Sequence, residues 1–398
     1  MNSFNMHLPI FHIPTFDLAS NPSPLILAMC AIGALLLLDR PNAGLLYSLS
    51  RKALRYKHQR AELELPSVFW DWSRPCEEEV PPAWSPLWDT QTDLLLTYFG
   101  AFCGDPEAVV RTMEEIGSLS CTYRLRQAEL GPSSLTAKPT TWNSWAEREC
   151  TKRLLCGIFI ISSLLTITYG ICPGFSVFQH GDLEMPGEQS LWDASTEVEW
   201  LERKRNLEQD DAPAVTLRLA VRWALDGQSP DSLEHTRCSR WSPFMATVTM
   251  HGVNTLVYHV ADFTHPQDVS PDTHPLHGTP KSHVVSHMED ALGRCYDMIV
   301  SARNGSSSVS GDAKSPLLFN SLALLRVCYI RAFTNINSMD RNILLRRSRS
   351  EMLEAIRQYA VKPVPRSALL ARVVAHVPWK PSRSPLEQGL CCYKRPLR

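Results

Sequence analysis

The sequence predicts an all-α fold, a large helical regulatory-type domain with Pro-rich connectors. Three observations predict it. Apolar residues recur at three- and four-residue spacing over segments too long for ordinary strands. Gly is scarce, at 18 of 398 residues, whereas 29 Pro residues punctuate the apolar segments, a balance that suits helices better than a β-sandwich. Hydrophobic residues make up 44% of the chain against 20% charged, enough for a large core. The length allows one large domain or two ordinary ones.

Ser23 offers a helix cap and Pro24 suits the first helical position. The run Leu25, Leu27, Ala28, Ala31, Ile32, Leu35 and Leu38 then continues to a stop at Asp39-Arg40-Pro41. It is apolar nearly all round, so the expectation is a helix central to the core. A second, amphipathic helix is expected over about 43–59, with Leu46, Leu49, Ala53 and Leu54 near one face. Residues 66–88 read as a Pro- and Trp-rich connector.

Thr90 and Asp93 have capping-box spacing ahead of the apolar DLLLTYFGAFC, which Gly104 closes. Asp105-Pro106 starts another helix, with Val109, Val110, Met113, Ile116 and Leu119 expected inward. Thr141 can cap the longest helix, 142–169, closed by Gly170 and Pro173. No Asp, Glu, Lys or Arg occurs between Arg153 and Asp182, so Leu154 to Cys172 is long enough to raise a membrane anchor as the alternative reading. Ser162, Ser163, Thr166 and Thr168 dilute it, which favours a buried core helix.

An acidic segment, 190–211, reads as a loop and then a surface helix. Further helices are expected at 215–225, 242–260 and 282–301, from Pro316 onward, and from an Asp340 cap to about Tyr359. The segment 242–260 is rich in Val and Thr, yet Met245, Val248, Val253, Leu256, Val257 and Val260 keep helical spacing. The organisation expected is one domain over 1–360 and a basic, irregular tail over 361–398.

The net charge of −1 gives the whole chain no electrostatic pull on nucleic acid. The charge is uneven, however. Ten acids crowd 182–211, and thirteen Lys or Arg against four acids fill the stretch from Asp340 to the end. Arg346, Arg347 and Arg349, and Lys394, Arg395 and Arg398, are candidate nuclear-import residues, weighed against a solvated helix face and a frayed terminus.

Twelve cysteines are scattered without a single C-x-x-C pair, so neither a structural zinc site nor a disulfide framework is expected, and the thiols should be reduced and structural. Seven histidines fall between His251 and His287, and His283 with His287 share a helix face. HVVSH lacks the His-Glu-x-x-His order of a metalloprotease, and surface histidines are the ordinary reading. Phosphate-binding glycine loops and the G-x-S-x-G elbow are absent from the sequence, so no catalytic or cofactor-binding residue is assigned and no enzyme is expected.

Four blocks, in order, carry a family resemblance. The first is FHIPTF with PLILAMCAIGALLLLD and AGLLYSLSRKAL. The second is ERECTKRLLCGIFIISSLLTITYGICP. The third is MPGEQSLWDASTEVEW, where Met185, Pro186, Glu188, Leu191, Trp192, Asp193 and Trp200 fit an acidic box and Gly187 stands where Cys is expected. The fourth is SPLLFNSLALLRVCYIRAFT. Together they resemble the regulatory, middle-homology domain of fungal-specific transcription factors, nearest to factors whose regulatory domain follows two-Cys two-His zinc fingers.

The resemblance implies an all-α regulatory domain of a nuclear regulator of RNA polymerase II genes. Control of a biosynthetic gene cluster is a plausible setting. It also implies protein partners in the transcription machinery or a DNA-binding dimer partner, with a small-molecule effector unspecified. Zinc is expected only in a DNA-binding module that this chain lacks, so DNA-contacting residues are not carried over. After about Pro363 the likeness stops.

Overall fold

The computed structural model describes residues 2–64, 86–130, 141–172, 174–207, 215–226, 241–264, 282–304, 315–333, 341–345 and 348–361. These residues form fourteen α-helices and no strand, apart from one antiparallel bridge between Glu184 and Thr216. The all-α expectation holds.

After the short helix α1 (Asn2–Asn5), α2 (Ser23–Leu36) and α3 (Arg40–Glu64) form a tight hairpin. Two expectations fail here. Ser23 is the first helical residue and makes no cap, because Pro22 occupies the cap position. The expected stop does hold: α2 ends at Leu36, just ahead of Asp39, and Pro41 lies in the first turn of α3, where its missing N–H would have had no helical partner. However, α2 is not central. Leu25, Ala28, Ala31 and Ile32 are buried, but Cys30, Leu36, Leu37 and Leu38 face solvent. A run apolar on every side does not say which side will be covered.

The hairpin rests on α4 (Leu87–Phe102), which packs on α5 (Pro106–Glu129). The expected Thr90–Asp93 cap is also corrected: α4 begins three residues earlier, and Thr90 is buried with its hydroxyl accepting from Arg126 Nε at 3.2 Å. Asp105 does cap α5, accepting from Glu107 N–H at 3.1 Å. Of its expected inward residues Val109 and Leu119 are buried, whereas Val110 is 41% exposed.

The long helix α6 (Trp142–Tyr169) matches its expected bounds. Thr141 and Ser144 cap each other's backbone N–H groups, and Gly170 at φ +70° ends the helix in the left-handed region that Gly adopts at little cost. This helix packs against α4, α5 and α11 (Pro243–Thr264), and so forms the spine of the fold.

Short helices α7 (Val177–His180) and α8 (Gln189–Trp192) lead to the surface helix α9 (Glu197–Leu207). Then α10 (Leu217–Asp226), α11, α12 (Ser282–Asn304) and α13 (Pro316–Phe333) pack on one another. The helix expected from Asp340 is broken: a 3-10 turn at Arg341–Leu345 precedes α14 (Arg349–Val361), and the Ser348 hydroxyl accepts from Glu351 N–H at 3.3 Å at its start. The connector 66–85 and the tail from residue 362 lie outside the described residues.

Candidate functional site

The sequence blocks converge in the N-terminal half of α6. Glu149 and Arg153 are one helical turn apart, and their side chains are 1% and 0% exposed. Arg153 Nε donates to Glu149 Oε1 at 2.9 Å, and Arg153 Nη2 reaches Gln189 Oε1 at 3.4 Å. Its guanidinium carbon lies 3.8 Å from the centre of the Trp192 ring and 5.5 Å from that of Phe244. A weakly hydrated planar cation is suited to such aromatic faces.

Glu149 is the hub. Its Oε1 also accepts from Gly187 N–H at 2.9 Å, and its Oε2 pairs with Lys152 Nζ at 2.9 Å. Lys152 reaches Glu184 Oε1 at 3.1 Å, and Arg148 stands 3.7 Å from Glu184 Oε2. Burial alone pushes the Glu149 carboxyl up, but the Lys152 and Arg153 charges override it and hold the group well below the usual carboxylate range. Burial works against the Lys152 ammonium too, and the Glu149 and Glu184 carboxylates more than offset it, so Lys152 stays charged.

The departure at Gly187 now has a physical reading. A Cβ at this position would stand 3.3 Å from Glu149 Oε2, so a side chain here would press on the buried carboxylate.

Trp192 carries the network into an aromatic cluster. His12, from the FHIPTF block, meets Trp192, Trp142 and Trp145 edge-on, with centroids 4.8, 5.6 and 6.0 Å apart. Burial pushes the His12 imidazole down to about 4, so the ring is neutral, and its Nδ1 lies 2.8 Å from Thr15 Oγ1. Trp145 continues to the fully buried Trp200 on α9. Next to the cluster a groove of about 440 Å³ is lined by Pro14, Gln189, Trp192, Asp193 and Leu317, so blocks one, three and four share one surface. Such a set of neutralised charges and packed rings orients helices.

A second hollow, about 260 Å³, lies among α3, α4 and α5. There Arg51 pairs with Glu115, and burial together with the Asp89 charge pushes Asp93 up to about 7.

Of the candidate import residues, Arg349 is the first residue of α14, though the position of its side chain is not described, and Arg346, Arg347, Lys394, Arg395 and Arg398 lie outside the described residues. His287 is exposed on α12, and the His283 side chain is not described. His251 is buried with its Nδ1 3.0 Å from Ser163 Oγ, so it satisfies a core position. Among the described residues no group of three or more His, Cys, Asp or Glu side chains is placed to hold a metal. The described cysteines are unpaired, and burial pushes the Cys150, Cys156 and Cys295 thiols up to about 12.

The helix that raised a membrane anchor passes the test of length and apolarity, but 89% of its most apolar stretch is buried by the protein's own helices. The core-helix reading accounts for it.

Sequence reasoning missed the ion network. Its local signals are the Glu149–Lys152 and Glu149–Arg153 spacings of three and four residues, which usually mark solvated pairs.

Comparison with known proteins comes out in line with this convergence. Residues 1–224 match the family model described as the fungal specific transcription factor domain. Over 253 residues the chain is 25% identical to zinc finger protein zas1 of Schizosaccharomyces pombe, a span that covers 63% of this chain and 26% of that protein. The chain therefore spans about a quarter of the length of that relative. No solved structure matches the chain.

Proposed function

The chain belongs to the fungal-specific transcription factor domain family, and from that premise we propose that it acts in the nucleus as a regulator of RNA polymerase II genes. It does so by presenting helical surfaces to protein partners rather than by catalysis, and control of a biosynthetic gene cluster fits this role. The observation that carries the reading is the Arg153–Trp192 node. Three of the four segments that bear the family likeness, distant in sequence, are in contact there, as a domain that transmits a partner's presence requires. Direct reading of DNA is not part of the proposal.

The test is tethering. The whole chain, fused to a heterologous DNA-binding domain in a fungal cell, is expected to raise or lower a reporter whose promoter carries the matching sites. A reporter that stays at the level of the DNA-binding domain alone, across activating and repressing promoter contexts, would sink the proposal. A fluorescent fusion tests location and the import residues together. Nuclear signal should fall when Arg346, Arg347 and Arg349, or Lys394 and Arg395, are changed to Ala. A cytoplasmic parent protein would overturn the nuclear assignment.

A further inference from the structure

The outer face of α3 has a pattern that the core does not use. Ala43, Tyr47, Ser50 and Leu54 face inward. On the opposite side, Leu45, Leu49, Lys52, Tyr56 and Gln59 follow one another at steps of four, three, four and three, the spacing of a coiled-coil seam. All five are exposed: Leu45 is 58%, Leu49 42% and Tyr56 65% accessible. Three of these five, Leu45, Leu49 and Tyr56, are large apolar side chains, and a second helix laid along them would cover them.

Its flanks state the charge of that helix. No acidic residue occurs between Asp39 and Glu62, whereas Lys52 and Arg55 stand exposed on and beside the seam, and Lys57 lies over the Trp88 ring. A second copy fits poorly, because either orientation sets Lys52 or Arg55 against cations of the same kind. The turn that leads into α3 adds Leu37 and Leu38, which are 66% and 80% exposed. Leu38 adopts φ +64°, a left-handed conformation that strains a Leu and that Gly adopts freely. Strain kept at an exposed apolar side chain is what a contact residue shows.

We propose that the outer stripe of α3, Leu45–Leu49–Lys52–Tyr56, docks an amphipathic helix of a partner protein whose apolar seam is bordered by Glu or Asp. This names a surface and a partner chemistry for the partner-binding reading above, on which its biological use rests. The helix face itself is argued independently of the Arg153 node.

The probe is a fluorescent synthetic peptide of about three heptads, with Leu at the seam and Glu at the flanking positions, whose own repulsion keeps it from pairing with itself. A matched peptide carries Lys at the flanks. Anisotropy titration of the full chain is expected to show the Glu peptide bound at least about tenfold more tightly than the Lys peptide, and less tightly as salt is raised. Leu45→Ser/Leu49→Ser, at exposed positions, should abolish binding with the melting temperature unchanged. Lys52→Glu/Arg55→Glu should reverse the preference towards the Lys peptide.

The proposal is overturned if neither peptide binds, if both bind equally, or if the Ser variant binds like the parent. A dimeric parent that becomes monomeric in the Ser variant would overturn it in favour of a second copy. None of these results touches the tethered reporter, so the two proposals fail separately.

Discussion

The Arg153 guanidinium lies 3.8 Å from the centre of the Trp192 ring, with Arg153 fully buried and Trp192 7% exposed. This contact ties the spine helix to the acidic box more than thirty residues later, while Glu149 balances the charge from the same face of α6.

Breaking the pair from one side leaves the buried Glu149 carboxylate with one of its two cations removed. Arg153→Met is expected to cost about 3–5 kcal/mol, because Glu149 then keeps Lys152 alone among its cations. The double variant Glu149→Gln/Arg153→Met should cost clearly less than the two single changes added together. Urea denaturation of the four proteins in a mutant cycle reads the difference. Additive costs would show that the two side chains do not act as a unit.

What could be read in advance divides by the range of the interaction. Thr141, Ser144 and Gly170 set the ends of α6 through contacts within a few residues, and those ends were read correctly. The Asp105 cap is equally local. Thr90 and Asp93 match a capping box just as well, but a burial partner contributed by Arg126, from another helix, places Thr90 inside α4. In α2 the apolar run gives no preferred side, so its exposed Leu36 to Leu38 edge depends on where α4 lands. The Glu149–Arg153 spacing was visible, but Gly187, Gln189 and Trp192, which make it a buried hub, come from a segment that local periodicity does not connect to it.

Gly100 of α4 faces α5 with no room for a side chain. A Cβ there would stand 2.1 Å from Thr112 Oγ1 and 3.3 Å from Ala108 O, so the Thr112 side chain or the helix that carries it must shift. Gly100→Ala is expected to destabilise the protein by about 1–3 kcal/mol despite the better helix propensity of Ala. Thr112→Ala, which removes that oxygen, should recover most of the loss in the double variant. Thermal denaturation decides it, and a Gly100→Ala protein as stable as the parent would contradict the packing described.

Leu38 makes the opposite prediction. Its backbone is held at φ +64°, and its side chain is 80% exposed, so little packing is lost on removing it. Leu38→Gly should stabilise the fold by about 0.5–1 kcal/mol, the relief of left-handed strain less the greater freedom of Gly in the unfolded chain. A melting temperature lowered by the change would mean that the Leu38 side chain supports the hairpin.

Acid should act on the core through His251. Burial pushes its imidazole down to about 3, with Ser163 Oγ at 3.0 Å from Nδ1. The folded state therefore holds the proton less tightly than the unfolded chain, whose His titrates at 6.5, and stability is lost as pH falls below that value. Between pH 7 and 5 this one residue should remove roughly 2 kcal/mol. The whole chain shows a mixture, because His12, pushed down to about 4, adds a loss of the same sign. Asp93, pushed up to about 7, works the other way: its burial penalty fades as it is protonated. A comparison isolates the term. His251→Asn should be less stable than the parent at pH 7, and the gap should shrink by about 2 kcal/mol at pH 5, where only the parent carries the penalty. Denaturant titrations at the two pH values measure it, and a gap that stays constant would show that His251 is charged, or free to become so, inside the fold.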